Sequence, residues 1–291
     1  DINNNEGMTS EEVGAISFTS FMTGLFPNMT YYVRAYATNS EGTAYGNLLN
    51  FTTLEKFYTD GSGLIDIDGN EYHTVIIGGR EYMSENLRTS RYNTGDSIYR
   101  ITHLDDWLLP GVGAYCWMED DSAANEELYG KLYNFIAVNN GNICPVGWHV
   151  PCDEEWMGLE VFLGMNEAIA HDSGWRGDNQ GGMMKQTGTE TWLIPNEGAT
   201  NQSGFSALPG GYRGADGFFQ DVGSSAYFWS MSTTRFMANA WLRALSNTET
   251  SVLRDTAEMY KGASIRCVRS IFTLPEVTTN EITDITISTA T

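Results

Sequence analysis

Positive charge is scarce in this sequence: 16 Lys and Arg stand against 37 Asp and Glu, a formal net charge of -21. Such a surface repels phosphate backbones and anionic lipid, so neither nucleic acid nor a membrane surface is an expected partner. Long apolar runs are missing too, and no stretch approaches the roughly 20 residues of a membrane span. No charged-then-apolar leader stands at Asp1; for a secreted chain, a signal peptide is expected to have been removed already. Cysteine is sparse: Cys116, Cys144, Cys152 and Cys267, none in a CxxC pair, with four scattered histidines. That distribution does not predict a zinc site. The even cysteine count fits disulfides in any of three pairings, or buried free thiols.

Catalytic signatures are also absent. There is no GxSxG and no HExxH, and the glycine run at Gly210, Gly211 and Gly214 lacks the Lys-Ser/Thr of a phosphate loop. A non-enzymatic protein without an obligatory cofactor is expected.

What is present is a 41% hydrophobic chain of 291 residues with 31 glycines, enough for one large domain and a small one. Little lysine with many Thr, Asn, Gly, Tyr and Trp reads as an extracellular, cell-surface composition. Residues 30–38 alternate, with Tyr31, Val33, Ala35 and Ala37 on one face, which is the period of a half-buried strand. Flanking strands are predicted over 17–23 and 43–53. Leu25, Pro27 and Tyr31 have the spacing of a tyrosine corner. The run GLFPNMTYYVRAYATNSEGTAYGNLLNFTT resembles the last three strands of fibronectin type III-like (Ig-like) modules of Bacteroidetes surface proteins. Residues 274–291 alternate over 282–287 and resemble the first strand of such a module. Three domains are expected: 1–56 (late sandwich strands), 57–271, and 272–291 (first strands of a following or complemented sandwich).

In the middle region, Asp68-Gly69-Asn70 and Gly78-Gly79 read as turns of a hairpin meander. Helices are predicted over 127–138 and after Pro151, where Trp156, Leu159, Phe162 and Leu163 form one stripe behind the acidic start Asp153-Glu154-Glu155. The segments DIDGNEYHTVIIGGREYMSENLRTSRY, YGKLYNFIAV, CPVGWHVPCDEEW, SGFSALPGGYR, YFWSMS and SIRCVR resemble, in order, the Fibrobacter succinogenes major paralogous domain. That resemblance implies an α+β, C-type lectin-like domain with long loops; the terminal segments, by their own resemblance, imply a partial all-β sandwich beside it. It also implies a Cys144–Cys267 disulfide; Cys152, where the family usually has Ser or Thr, would then pair with Cys116.

Candidate sites follow. Asp66, Asp68 and Asn70 place oxygens at alternate positions that could hold Ca2+, against the plainer reading of a hairpin turn. Glu119, Asp120, Asp121, Glu126 and Glu127 are a second acidic cluster, against a solvated loop. Trp107, Trp117, Trp175, Trp192 and Trp241 could stack on sugars, against burial in the core. Ser97, Ser122 and Thr256 lie in Asp-Ser/Thr-apolar triplets of the Bacteroidetes O-glycosylation type. The functional expectation is a head-to-tail homopolymer, a filament or pilus-like surface structure serving structure or adhesion. In it Leu274, Val277, Ile282, Ile285 and Ile287 of one copy would complete the sheet of Tyr31, Val33 and Ala35 in the next. The alternative is a lectin-like adhesin that binds glycan or a host or substrate surface, cut from a longer multi-module protein.

Overall fold

The computed structural model describes Met22 and residues 25–235 and 239–271. The first strands are short: β1 (Thr30–Val33), β2 (Tyr36–Asn39), β3 (Gly42–Tyr45) and β4 (Leu49–Thr52). Pairs β1–β4 and β2–β3 make two two-stranded antiparallel sheets of one bent hairpin. Gly46 donates to the Ala35 carbonyl at 2.8 Å and holds the bend. The expected single strands over 30–38 and 43–53 are each broken there.

The chain continues through β5 (Thr59–Asp60), β6 (Leu64–Ile65), β7 (Glu71–Tyr72), β8 (Thr74–Ile77) and β9 (Arg80–Met83). The predicted meander is present, with turns at both glycine-containing sites. Gly78 has φ 58°, and a Cβ there would meet the Phe162 ring at 3.0 Å. Next come β10 (Tyr99–Arg100), α1 (Leu104–Trp107), β11 (Ala114–Cys116), α2 (Ser122–Tyr129), β12 (Leu132–Tyr133) and α3 (Phe135–Asn139). The helix expected over 127–138 is therefore two helices around a strand. Gly130 breaks it with φ 71°, and a Cβ there would approach Asn86 Cβ to 2.9 Å. The second helix, α4 (Asp153–Phe162), lies where the sequence predicts it. Trp156, Leu159 and Leu163 are buried, whereas Phe162 is half exposed over Gly78.

The remaining elements are α5 (Glu167–Ala170), β13 (Gly174–Arg176), α6 (Gln180–Met184), β14 (Gly210–Arg213), β15 (Phe219–Val222), β16 (Ser225–Thr233), β17 (Asn239–Ser246), β18 (Val252–Glu258) and β19 (Val268–Ser270). Among the described residues, a six-stranded sheet runs β13-β18-β17-β16-β14-β15 and a four-stranded sheet β19-β9-β8-β5. One core cluster joins Val75 and Tyr82 of the smaller sheet, Trp156 and Leu159 of α4, and Phe228 and Leu245 of the larger sheet. A second lies around Tyr133, Phe135, Trp148 and Trp229.

These elements correct the expected α+β, C-type lectin-like fold. The protein is β-rich, with several sheets and short helices; among the described residues the longest helix, α4, has 10 residues. One of the two early helices such a fold requires is interrupted by Gly130. Of the expected terminal partial sandwich, the described N-terminal part is a bent hairpin; residues 1–21 and 272–291 lie outside the described residues. Among the described residues, no helix is long and apolar enough to cross a membrane.

Candidate functional site

The N-terminal hairpin exposes several large apolar side chains. Its base is well tied. Tyr31 Oη accepts from the Phe26 N–H at 2.7 Å, so the predicted tyrosine corner is formed. The Tyr31 ring stacks on Phe51, 5.9 Å away and directly opposite in register. Thr53 Oγ1 donates to the Phe26 carbonyl at 2.6 Å, and Thr30 and Thr52 share a hydroxyl bond of 2.9 Å. Along β1, burial alternates as the sequence predicts: Tyr31 and Val33 are half-buried and Tyr32 is exposed. Ala35 lies in the bend and is exposed. Around this frame Phe26 (73%), Tyr32 (65%), Leu49 (63%) and Leu48 (45%) stand in solvent. Among the described residues, β1 and β4 pair only with each other. The predicted partners Leu274, Val277, Ile282, Ile285 and Ile287 lie outside the described residues.

The cysteines divide. Cys144 and Cys267 form the expected disulfide, with Cα atoms 5.9 Å apart. The Cys116–Cys152 pairing is corrected, since both are free thiols. Cys116 lies fully buried on β11, and burial pushes its thiol up to about 12. Cys152 sits at the start of α4, where Glu155 reaches back to accept from its N–H at 3.0 Å. Burial raises that thiol too, to about 11.

The calcium candidates are occupied by protein donors. Asp66 accepts from the N–H of Asp68 (2.9 Å) and of Asn70 (3.0 Å), from Asn70 Nδ2 (2.9 Å) and from Tyr72 Oη (2.7 Å). Asp68 accepts from the Ser90 N–H and hydroxyl and from Arg91 Nε. Burial raises the Asp68 carboxyl, but the Ser90 and Arg91 donors outweigh it and hold it at about 2. The two carboxylates brace a hairpin turn, the plainer of the two readings of this segment. Among the described residues, no group of three or more His, Cys, Asp or Glu is arranged to hold a metal ion.

Three residues of the second acidic cluster have structural roles. Asp121 caps α2 by accepting from Ala124 N–H at 3.1 Å, Glu126 pairs with Lys131 and Glu127 with Arg88. Trp107, Trp117 and Trp192 are buried, while Trp175 is 43% exposed. Arg254 lies 3.7 Å over the Trp241 ring. Ser97 and Ser122 are exposed, whereas Thr256 is half-buried on β18 opposite Trp241.

Sequence reasoning missed a buried ionic network. Arg243 Nη1 donates to Asp153 Oδ1 and Arg243 Nε to Glu160 Oε1, each at 2.7 Å. Arg254 reaches Asp153 and Arg176 reaches Glu160, each at 2.5 Å. Asp153 and Glu160 lie two helical turns apart on one face of α4, and Arg243 faces Arg254 across β17–β18. The network clamps α4 onto the six-stranded sheet. Lys185 makes a second clamp, donating to the carbonyls of Glu197, Ser246 and Glu249 at 2.8 Å each. Burial lowers its ammonium to about 8, against the pull of Glu197 and Glu249.

The model of the Fibrobacter succinogenes major domain matches residues 75–269, two thirds of the chain. The chain belongs to this family. The match runs from β8 to β19 and takes in the six-stranded sheet, three strands of the four-stranded sheet, the disulfide and the α4 clamp. The N-terminal hairpin lies outside the part matched to the major domain. No curated protein and no solved structure shows a match to the chain.

Proposed function

We propose that this major-domain protein is a non-enzymatic, extracellular surface subunit that assembles head to tail by strand addition. A strand from residues 274–291 of one copy adds to the N-terminal hairpin of the next. The observation that carries the reading is the exposed apolar surface of Phe26, Tyr32, Leu48 and Leu49 on a hairpin whose edges are unpaired among the described residues. A lone two-stranded hairpin is marginal in water, and an open strand edge is a template for another chain. An added strand supplies backbone hydrogen bonds and places alternate side chains on the apolar face. Leu274, Val277, Ile282, Ile285 and Ile287 have the chemistry for that role, with Tyr31 and Val33 on the receiving strand and Ala35 in the bend that follows it. Head-to-tail contacts that do not close into a ring give filaments, which would carry the major domain on every subunit as structure or adhesive.

Light scattering of the full chain across a concentration series tests this. Mass should rise with concentration, and Ile282→Asp with Ile285→Asp should hold the protein at monomer mass. A wild-type mass that stays at the monomer value at every concentration would sink the proposal.

A further inference from the structure

The apolar hairpin carries a single cation. In residues 25–54, Arg34 is the sole Lys or Arg and Glu41 the sole acid. Glu41 stands at the far tip, in the turn between β2 and β3, where its N–H donates to Asn39 Oδ1 at 2.9 Å. Arg34 stands at the opposite end, in the bend directly after β1. It is exposed, and its guanidinium lies 4.0 Å over the Tyr45 ring. Among the described residues, no carboxylate pairs with it.

The cation marks one end of the apolar face. Residues directly opposite in an antiparallel pair share a face, and successive residues alternate between faces. Tyr31 lies opposite Phe51 and Val33 opposite Leu49, so these side chains form the apolar face. Thr30, Tyr32, Asn50 and Thr52 form the other. Arg34 follows Val33 immediately.

The segment proposed to add to this hairpin has the complementary charge. Residues 272–291 hold Glu276, Glu281 and Asp284 and no Lys or Arg. Within the alternating run 282–287, Asp284 is the sole charge, and it immediately precedes Ile285. In a strand running antiparallel to β1, with Ile285 level with the Val33–Leu49 pair, Asp284 is therefore level with Arg34. The reverse direction sets Asp284 level with Tyr32 and leaves both charges unpaired. A charge carried unpaired into an apolar contact is costly, and its pairing across the contact fixes register and rejects other partners. A lone charge beside an open edge works the same way, against strands that bring no counter-charge.

We infer that Arg34 of one copy pairs with Asp284 of the next, and that this ion pair selects the tail of a second copy and its direction, antiparallel to β1. The inference rests on the strand-addition reading above.

Sedimentation velocity on full-length wild type, Arg34→Asp, Asp284→Arg and an equimolar mixture of the two variants tests it. Each variant alone sets like charges together and should need at least about tenfold more protein than wild type to reach half assembly. The mixture should assemble as wild type does, because every junction in an alternating chain joins opposite charges. Mixing cannot rescue a variant that fails to fold, so recovery reports the pair itself. If wild type assembles and either variant alone matches it, or if the mixture does no better than the variants alone, the ion pair is overturned and strand addition stands. If wild type stays at monomer mass, as when each tail folds back on its own hairpin, strand addition fails and the intermolecular pair fails with it.

Discussion

Tyr31 Oη accepts the Phe26 N–H at 2.7 Å while its ring stacks on Phe51, so one side chain ties the start of β1 to its own backbone and to β4. Removing the hydroxyl alone should cost about 1 kcal/mol, the net worth of one such bond. Tyr31→Phe is expected to raise hydrogen exchange over residues 25–54 and leave exchange in β16–β18 unchanged. An equal increase in both regions would contradict a local role.

The Cys144–Cys267 bridge closes a segment of 123 residues. On the chain-entropy account, a loop of that size is worth about 4–5 kcal/mol. Cys144→Ser with Cys267→Ser should lower the unfolding free energy by that order in urea titrations. Thiol titration of the native wild type should find Cys152 reacting slowly and Cys116 protected until unfolding.

Glu160 lies fully buried between Arg176 and Arg243. Breaking a buried pair by neutralising one partner leaves the others uncompensated and costs about 3–5 kcal/mol. Glu160→Gln should show that loss in denaturant unfolding. Asp60→Asn, at a bridge to Lys56 whose Asp60 side chain is 86% exposed, should change stability by less than about 1 kcal/mol.

Acid should weaken the fold through Glu155 and Asp68. Burial raises the Glu155 carboxyl, but bonds from His149 and the Cys152 N–H, with Arg80 nearby, outweigh it and hold it at about 2. Both carboxyls are depressed in the folded state, so the unfolded chain takes up protons first as pH falls. Their stabilisation is fully present above about pH 5 and is lost progressively toward pH 2. Urea midpoints measured between these limits should fall, and Glu155→Gln should flatten the slope.

Local patterns in the sequence were legible where local chemistry decides the outcome. The tyrosine corner, the Asp68-Gly69-Asn70 turn and α4 depend on residues close in sequence, and all three formed. The helix over 127–138 failed because its apolar spacing is helical but Gly130 adopts φ 71° where Asn86 and Leu87 crowd it. That contact links residues more than 40 positions apart, which periodicity cannot register. The ionic clamp was hidden for the same reason: Asp153 reads as a helix-start acid, and only the β17–β18 register brings Arg243 and Arg254 to it. Cys116 and Cys152 showed the limit of counting, since an even number of cysteines does not place their Sγ atoms together.

The central claim is that the C-terminal segment of one copy pairs with the N-terminal hairpin of another. The most direct measurement mixes full-length Leu49→Cys protein with full-length Ile285→Cys protein under mild oxidation and separates the products without reductant. A disulfide-linked dimer of the two variants, in excess of that formed by either alone or by wild type, is the predicted result. Products indistinguishable from the single-variant and wild-type controls would contradict the account.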